Sequence, residues 1–252
     1  MLKEERQRYI VNRLHQEGKI LGTDLVVQLK VSEDTIRRDL NELAEAGILQ
    51  RVHGGALPRA RSSSYEERQH EENSTKITIA RTAASLIHDG QVIIMDSGTT
   101  VHEIANQIPL NRQATVITNS IPVAATLALH PNIEVQVLGG KLKKDAQAMI
   151  GVPVIEALKQ IRADLCFLGI CSLHPEIGIS MPDMEEVYTK RTMIEQAAEV
   201  VAVTEAAKLG TAAPYIVAPL NALTYLVTDT STDEGMLAPY RQLGIQVIRA
   251  ES

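Results

Sequence analysis

The stretch Val31–Ala56, VSEDTIRRDLNELAEAGILQRVHGGA, decides how the front of the chain is read. Ile36, Leu40, Leu43 and Ala44 recur at spacings of three and four, the apolar stripe of an amphipathic helix. Ser32, just before it, can accept a hydrogen bond from an orphan amide of the first turn. Glu33 and Asp34 sit where the helix dipole favours anions, and Gly47 ends the helix. Stepping 100° per residue from Ile36 turns Arg38, Asp34 and Asn41 outward, with Thr35 and Arg37 on the flanks. Ile48–Val52 then reads as a strand, His53-Gly54-Gly55 as a turn and Ala56-Leu57 as a short return.

Working outward, Ile10, Val11 and Leu14 share one face of a helix over residues 3–17, stopped by Gly18. Thr23 is expected to cap a short second helix with Leu25, Val26 and Leu29 inward, and Lys30-Val31 turns the chain into the third. Three helices, the last two joined tightly and followed by a hairpin, make a winged helix-turn-helix. On an isolated helix, Arg37-Arg38-Asp39 would read as a solvated charged face; the three-helix frame and the wing assign it to DNA. Arginine reaches guanine edges in pairs of hydrogen bonds or clamps phosphates, and a helix of this width fits the major groove. Arg51 and His53 lie on the wing, and Gly54 and Gly55 let backbone amides approach phosphates. For the wing alone, an ordinary glycine hairpin is an equal reading.

The charge distribution agrees. The chain carries a formal net charge of −6, but residues 1–61 hold +2 and the remainder −8, which puts a nucleic-acid face at the front. With no Trp and one Phe among 252 residues, the core must be aliphatic, as suits a buried parallel sheet. No run approaches the ~20 apolar residues of a membrane span. MLKEERQRYI lacks the apolar region of a signal peptide. Cys166 and Cys171 are expected as reduced thiols, and the expected place of action is cytoplasmic. No cofactor and no metal are expected.

Residues 1–57 are thus expected to form the DNA-binding domain and residues 58–74, polar and serine-rich, a linker with helix toward its end. Residues 75–252 are expected to form an α/β domain. There the apolar runs QVIIMD, ATVITN, IEVQVLG, DLCFLGI, EVVAVT, LTYLVTD and IQVIR alternate with helix-like segments, the rhythm of a mostly parallel sheet. Asp96-Ser97-Gly98-Thr99-Thr100 follows the first run and opens a helix, presenting amides and hydroxyls to an anion such as phosphate. Asn119-Ser120, Gly139-Gly140 and Lys208 follow other strand ends, where ligands of open parallel sheets bind. Each taken singly is as well explained by a capping turn, plain loop chemistry or a solvated lysine.

The run from Val31 to Ala56 resembles the signature of the DeoR family of bacterial transcription regulators. The resemblance extends through KITIA near residues 76–80, then DSGTT, ITNS, LGG and a late Lys-x-Gly. It implies that the helix bearing Thr35, Arg37 and Arg38 lies in the major groove and that HGGA is the wing. It also implies a sensor domain similar to ribose-5-phosphate isomerase, with Asp96, Gly98, Thr99, Thr100, Asn119 and Lys208 around a phosphorylated sugar. Where the family usually has Asp-Ser-Ser-Lys before Phe-Gly, this chain has Glu205-Ala206-Ala207-Lys208-Leu209-Gly210. The expected function is a repressor of carbohydrate-metabolism genes with no enzyme activity. Its expected partners are a double-stranded DNA operator and a sugar-phosphate effector, and its expected state is a homodimer or homotetramer away from membranes. Two competing readings are a sugar-phosphate isomerase-like enzyme, with Asp96 or Glu205 as base beside Lys208, and a scaffold whose α/β domain only oligomerises.

Overall fold

The computed structural model describes residues 1–59, 63–71 and 74–251, so residues 60–62 and 72–73 of the expected linker and residue 252 lie outside the described residues. The chain opens with α1 (Lys3–Glu17), β1 (Ile20–Leu21), α2 (Gly22–Leu29), α3 (Glu33–Glu45), β2 (Leu49–Val52) and β3 (Gly55–Pro58). Ile10, Leu14, Leu25, Ile36, Leu40 and Leu43 close on one another as the core of this unit. The Oγ of Ser32 accepts from the Thr35 amide at 3.3 Å, so α3 starts where its sequence places it.

Two features differ from expectation. Helix α2 begins at Gly22, with Leu21 in the cap position and no side-chain cap, so Thr23 lies inside the first turn. Its start is set instead by strand pairing: Ile20 and Leu21 register with Ala56 and Gly55, making a third strand of the wing. A two-residue strand leaves no periodicity to read. The second difference is Asp39, which is buried and ion-paired through Oδ2 with Arg6 Nε. Arg6 Nη2 donates to its other oxygen at 3.1 Å, tying α1 to α3.

The remainder comprises α4 (Tyr65–His70), α5 (Ser74–Ala84), β4 (Val92–Met95), α6 (Thr99–Gln107), β5 (Ala114–Thr118), α7 (Ile121–Leu127) and β6 (Ile133–Val137). The hairpin β7 (Lys141–Lys143) and β8 (Ala148–Ile150) leads to α8 (Val152–Lys159), β9 (Ala163–Gly169), β10 (Ser172–His174) and β11 (Gly178–Met181). Then come α9 (Met184–Glu195), β12 (Ala197–Val203), β13 (Tyr215–Ala218), β14 (Tyr225–Asp229), α10 (Glu234–Gln242) and β15 (Gln246–Ala250).

The seven apolar runs of the sequence are the seven strands of one sheet, ordered β15-β14-β12-β9-β4-β5-β6. Every neighbouring pair is parallel. Strand β9 shows how both faces are filled: Leu165 and Phe167 pack into one apolar cluster, Cys166 and Leu168 into the other. From β4 the chain moves outward through β5 and β6, then returns to β9 on the other side. The strand order reverses between β4 and β9, and a crevice opens beyond their carboxyl ends.

The described part of the polar segment 58–74 includes α4, docked on the sheet domain. Tyr65 is buried, its amide donates to the Asp145 carbonyl at 2.7 Å, and its hydroxyl bonds His102 Nδ1 at 2.8 Å. The buried Lys76 amine donates to the Arg68 carbonyl at 2.5 Å and holds the end of α4.

The two wing glycines are expected to separate on substitution. A Cβ on Gly55 would stand 2.0 Å from the Ile20 carbonyl oxygen, whereas Gly54, at φ +77°, meets nothing within 4 Å. Gly54→Ala should cost about 1–2 kcal/mol for its left-handed backbone. Gly55→Ala should lower the thermal midpoint further, because β1 must separate from β3; paired thermal denaturation checks the order.

Candidate nucleic-acid interface and effector crevice

Helix α3 presents Arg37, Arg38 and Asn41 to solvent. Arg37 Nη2 lies 2.8 Å from Asp34 Oδ1. From strand β2, Arg51 Nη1 donates to Asn41 Oδ1 at 2.9 Å and to the Arg37 carbonyl at 3.3 Å, so the wing braces the helix it flanks. Arg38 is exposed and has no ion-pair or hydrogen-bond partner among the described residues. The Ser32 and Thr35 hydroxyls are 2.8 Å apart and engaged in the helix cap. His53 and Gly54 are exposed at the wing tip, whereas Gly55 is buried within the wing sheet.

The second site starts at Asp96. Its buried carboxylate accepts from the Gly169 amide at 3.0 Å and pairs with Lys190 of α9, which also donates to the Gly169 carbonyl at 3.0 Å. Asp96 therefore joins the ends of β4 and β9 across the switch point, with its charge already matched. The next residues turn into the crevice. Gly98, at φ +130°, lets the chain enter α6, whose first amides have no carbonyl inside the helix. The hydroxyls of Ser97, Thr99 and Thr100 have no hydrogen-bond partner among the described residues. Together these residues line a cavity of about 600 Å³, with Lys208 also on its wall.

Lys208 sits in the short turn after β12, its Nζ 3.9 Å from Glu205 Oε2, and burial pushes its pKa below the usual lysine value. Burial opposes the charge of Lys190 too, but Asp96 and Glu186 outweigh it and hold that amine above the ordinary range. Glu186 is pushed up, chiefly by burial. Lys143 of β7 stands 3.6 Å from it and also pairs with Asp183. The crevice thus has one wall of matched charges and another of helix amides, hydroxyls and Lys208.

Asp96, Asn119, Ser120, Gly139 and Gly140 lie outside this lining, Asp96 being engaged by Lys190 and the Gly169 amide. The Asn119 side-chain amide donates to the Met149 carbonyl at 2.9 Å, and Ser120 Oγ caps α7 by accepting from the Val123 amide at 3.4 Å. A Cβ on Gly140 would meet the Ile150 carbonyl at 2.7 Å. Asn119, Ser120 and Gly140 seat the β7–β8 hairpin. Sequence reasoning missed Lys190, Glu186, Lys143 and Arg68, all on the cavity wall. The shortest ion pairs of Lys190 and Lys143, to Asp96 and Asp183, join distant elements, and no local pattern announces them. Cys171 also faces the cavity, and burial raises the pKa of its thiol.

A three-helix winged unit with an exposed arginine helix, followed by a parallel sheet with a built crevice, defines a DNA-binding regulator with a ligand-sensing domain. Residues 6–60 match the DeoR-like helix-turn-helix domain and residues 71–230 the DeoR C terminal sensor domain. The chain belongs to the DeoR family. It is 37% identical over 254 residues to the HTH-type transcriptional repressor GlcR of Bacillus subtilis (strain 168), covering 100% of this chain and 98% of that protein. It is 31% identical over 231 residues to the Glycerol-3-phosphate regulon repressor of Escherichia coli (strain K12), covering 91% of this chain and 92% of that one.

The likeness to two solved structures is weak. Ribose 5-phosphate isomerase A of Methanocaldococcus jannaschii gives a TM-score of 0.39 at 16% identity, over 53% of this chain and 52% of that one. The full-length Sorbitol Operon Regulator SorC from Klebsiella pneumoniae gives 0.43 at 14% identity, over 93% and 98%. Neither likeness is close enough to bear on the site. With its family established, the chain is a transcription regulator that binds DNA and carries a small-molecule effector domain, and it is not an enzyme. Among the described residues, no helix is long and apolar enough to cross a membrane.

Arg38→Ala is expected to cost about 1–3 kcal/mol in specific DNA binding and to leave the thermal midpoint unchanged, since the side chain is exposed and unpartnered. Fluorescence anisotropy with an operator selected from random DNA, beside thermal denaturation, measures both.

Proposed function

We propose that the chain is a repressor of carbohydrate-metabolism genes, released from its operator when a phosphorylated sugar enters the crevice. The observation that carries this reading is the open amino end of α6, Gly98-Thr99-Thr100, sharing a cavity with Lys208. Residues 62–252 carry −8, a field that repels phosphate unless local groups oppose it. The helix dipole, the free amides and the Lys208 charge do so. With Ala206 and Ala207 where the family usually has serines, hydroxyl donation falls to Ser97, Thr99 and Thr100. One relative carries glycerol 3-phosphate in its name, in keeping with a phosphorylated polyol as ligand.

On the DNA side, Arg37 and Arg38 of α3 contact the major groove, with Asn41 held by Arg51 beside them and His53-Gly54 at the wing tip near the backbone. Residues 1–57 read DNA, residues 75–252 sense the ligand, and the segment 58–74 lies between. One winged unit supplies too few contacts for the usual specific affinity of ~10⁻⁸ M or tighter, so the working form is a homodimer or homotetramer in the cytoplasm.

Calorimetry with matched phosphorylated and free sugars tests the reading. The phosphorylated form should bind and weaken operator affinity; the free sugar should do neither. Thr99→Asp sets a carboxylate where the phosphate would sit and should abolish the response while DNA binding persists. Equal affinity for both sugar forms would reject the phosphate site. The charge of Lys208 also fixes the sign of a pH effect. Because burial lowers its pKa, affinity for the phosphorylated sugar should decline as pH rises through that depressed value. Lys208→Arg stays charged and should remove the decline.

A further inference from the structure

The wall of the crevice is not built by the sensor domain alone. His15, in the last turn of α1, and Pro58 and Arg59, directly after the wing strand β3, line the same cavity as Thr99 and Lys208. We infer that the winged unit and the residue directly after it supply two effector-contacting groups, His15 and Arg59, so that an anion seated at the amino end of α6 clamps the winged unit to the sensor domain. This rests on the crevice being the effector site.

Three observations lead there. First, the contact between the two units is tied to the Lys208 turn. The Ala212 amide donates to the Pro58 carbonyl at 2.9 Å, and the preceding Thr211 hydroxyl bonds the Lys208 carbonyl at 2.8 Å. The wing strand therefore ends within a few residues of the cation assigned to the phosphate.

Second, the cations at this junction are less fully matched than those elsewhere on the cavity wall. Lys190 is neutralised by Asp96, and Lys143 by Asp183 and Glu186. Lys208 has only Glu205, at 3.9 Å, and Arg59 has no carboxylate partner among the described residues. A dianionic ligand supplies the missing charge, and a guanidinium is suited to paired hydrogen bonds with phosphate oxygens.

Third, Arg59 also reaches the reading helix. Its Nη1 is 3.9 Å from where a Cβ on Gly47 would stand, just past the end of α3. The carbonyls at that helix end favour a cation. An arginine drawn into the crevice leaves the end of α3, so occupancy is felt by the element that reads DNA. The only interdomain ion pair among the described residues, Lys19–Glu176 at 2.6 Å, is exposed and adds little. The ligand contact therefore controls how firmly the two units hold together. A ligand shifts such an equilibrium only by its difference in affinity for the two arrangements, and groups from both units supply that difference.

Hydrogen–deuterium exchange on the full chain tests the clamp, with inorganic phosphate and glycerol 3-phosphate as probes. In the wild type, each bound probe should protect residues 97–104 and also residues 11–19 and 55–59. In Arg59→Gln, protection of 97–104 should persist with three- to tenfold weaker probe affinity, while protection of 11–19 and 55–59 disappears. Operator binding by this variant should no longer respond to the probe. His15→Ala should act in the same direction, less strongly. Wild-type protection confined to 97–104, or an Arg59→Gln variant that keeps all three protected segments, would overturn the clamp and leave the crevice as the effector site. Protection in none of the segments would overturn the effector reading as well.

Discussion

The buried contact of Asp96 with Lys190 and the Gly169 amide fixes the geometry on which the sensing half depends. It stands where the parallel sheet changes direction, and it holds three separate elements, the ends of β4 and β9 and the helix α9, in one arrangement. Burying an ion pair is not an efficient way to gain stability, because desolvation offsets most of the attraction. Its effect here is positional. With β4 fixed against β9, the chain after Asp96 has to turn through Ser97 and Gly98, and α6 opens into the crevice. The close approach is tight enough that a Cβ on Gly169 would lie 2.5 Å from the Ser97 carbonyl.

A similar pair organises the DNA-reading half. Asp39 follows Arg37 and Arg38 in sequence but points the other way, into Arg6 of α1. The helix that presents two arginines to solvent is thus anchored by the carboxylate beside them. Arg51 then holds Asn41 from the wing side. Among the described residues Arg38 stays unpartnered because its neighbours are already committed, and its guanidinium remains free at the surface.

What could be read from the sequence follows from the range of each interaction. The seven strands were legible because each is a continuous aliphatic run, and α3 because Ser32, its apolar stripe and Gly47 are all local signals. Lys190 was not legible: the sequence MEEVYTKRTMIE gives no strong apolar face, and its partner lies 94 residues away. The strand β1 is two residues long, and α4 sits in a serine-rich segment whose one large apolar anchor is Tyr65. Asn119 and Gly140 looked like ligand groups because they follow strand ends. The strand ends of β5 and β6 instead receive the β7–β8 hairpin, whose short strands leave no clear alternation. Strand-end position therefore identified the right side of the sheet but not which loops face the cavity.

The magnitudes also fit a regulator that works through few contacts. Coupling between effector and DNA sites is typically about 1–3 kcal/mol. A hydrogen bond to a charged group contributes about 1.5–3 kcal/mol. One arginine that contacts the ligand in only one arrangement of the domains is therefore enough to supply the whole coupling, and no long relay through the sheet is needed. On the proposed effector site, Lys208 and the amino end of α6 belong to the sensor domain in every arrangement, so they would set affinity without transmitting it. Transmission requires a group whose attachment to the ligand joins the two units. Arg59, placed between the end of the reading helix and the crevice, has that position.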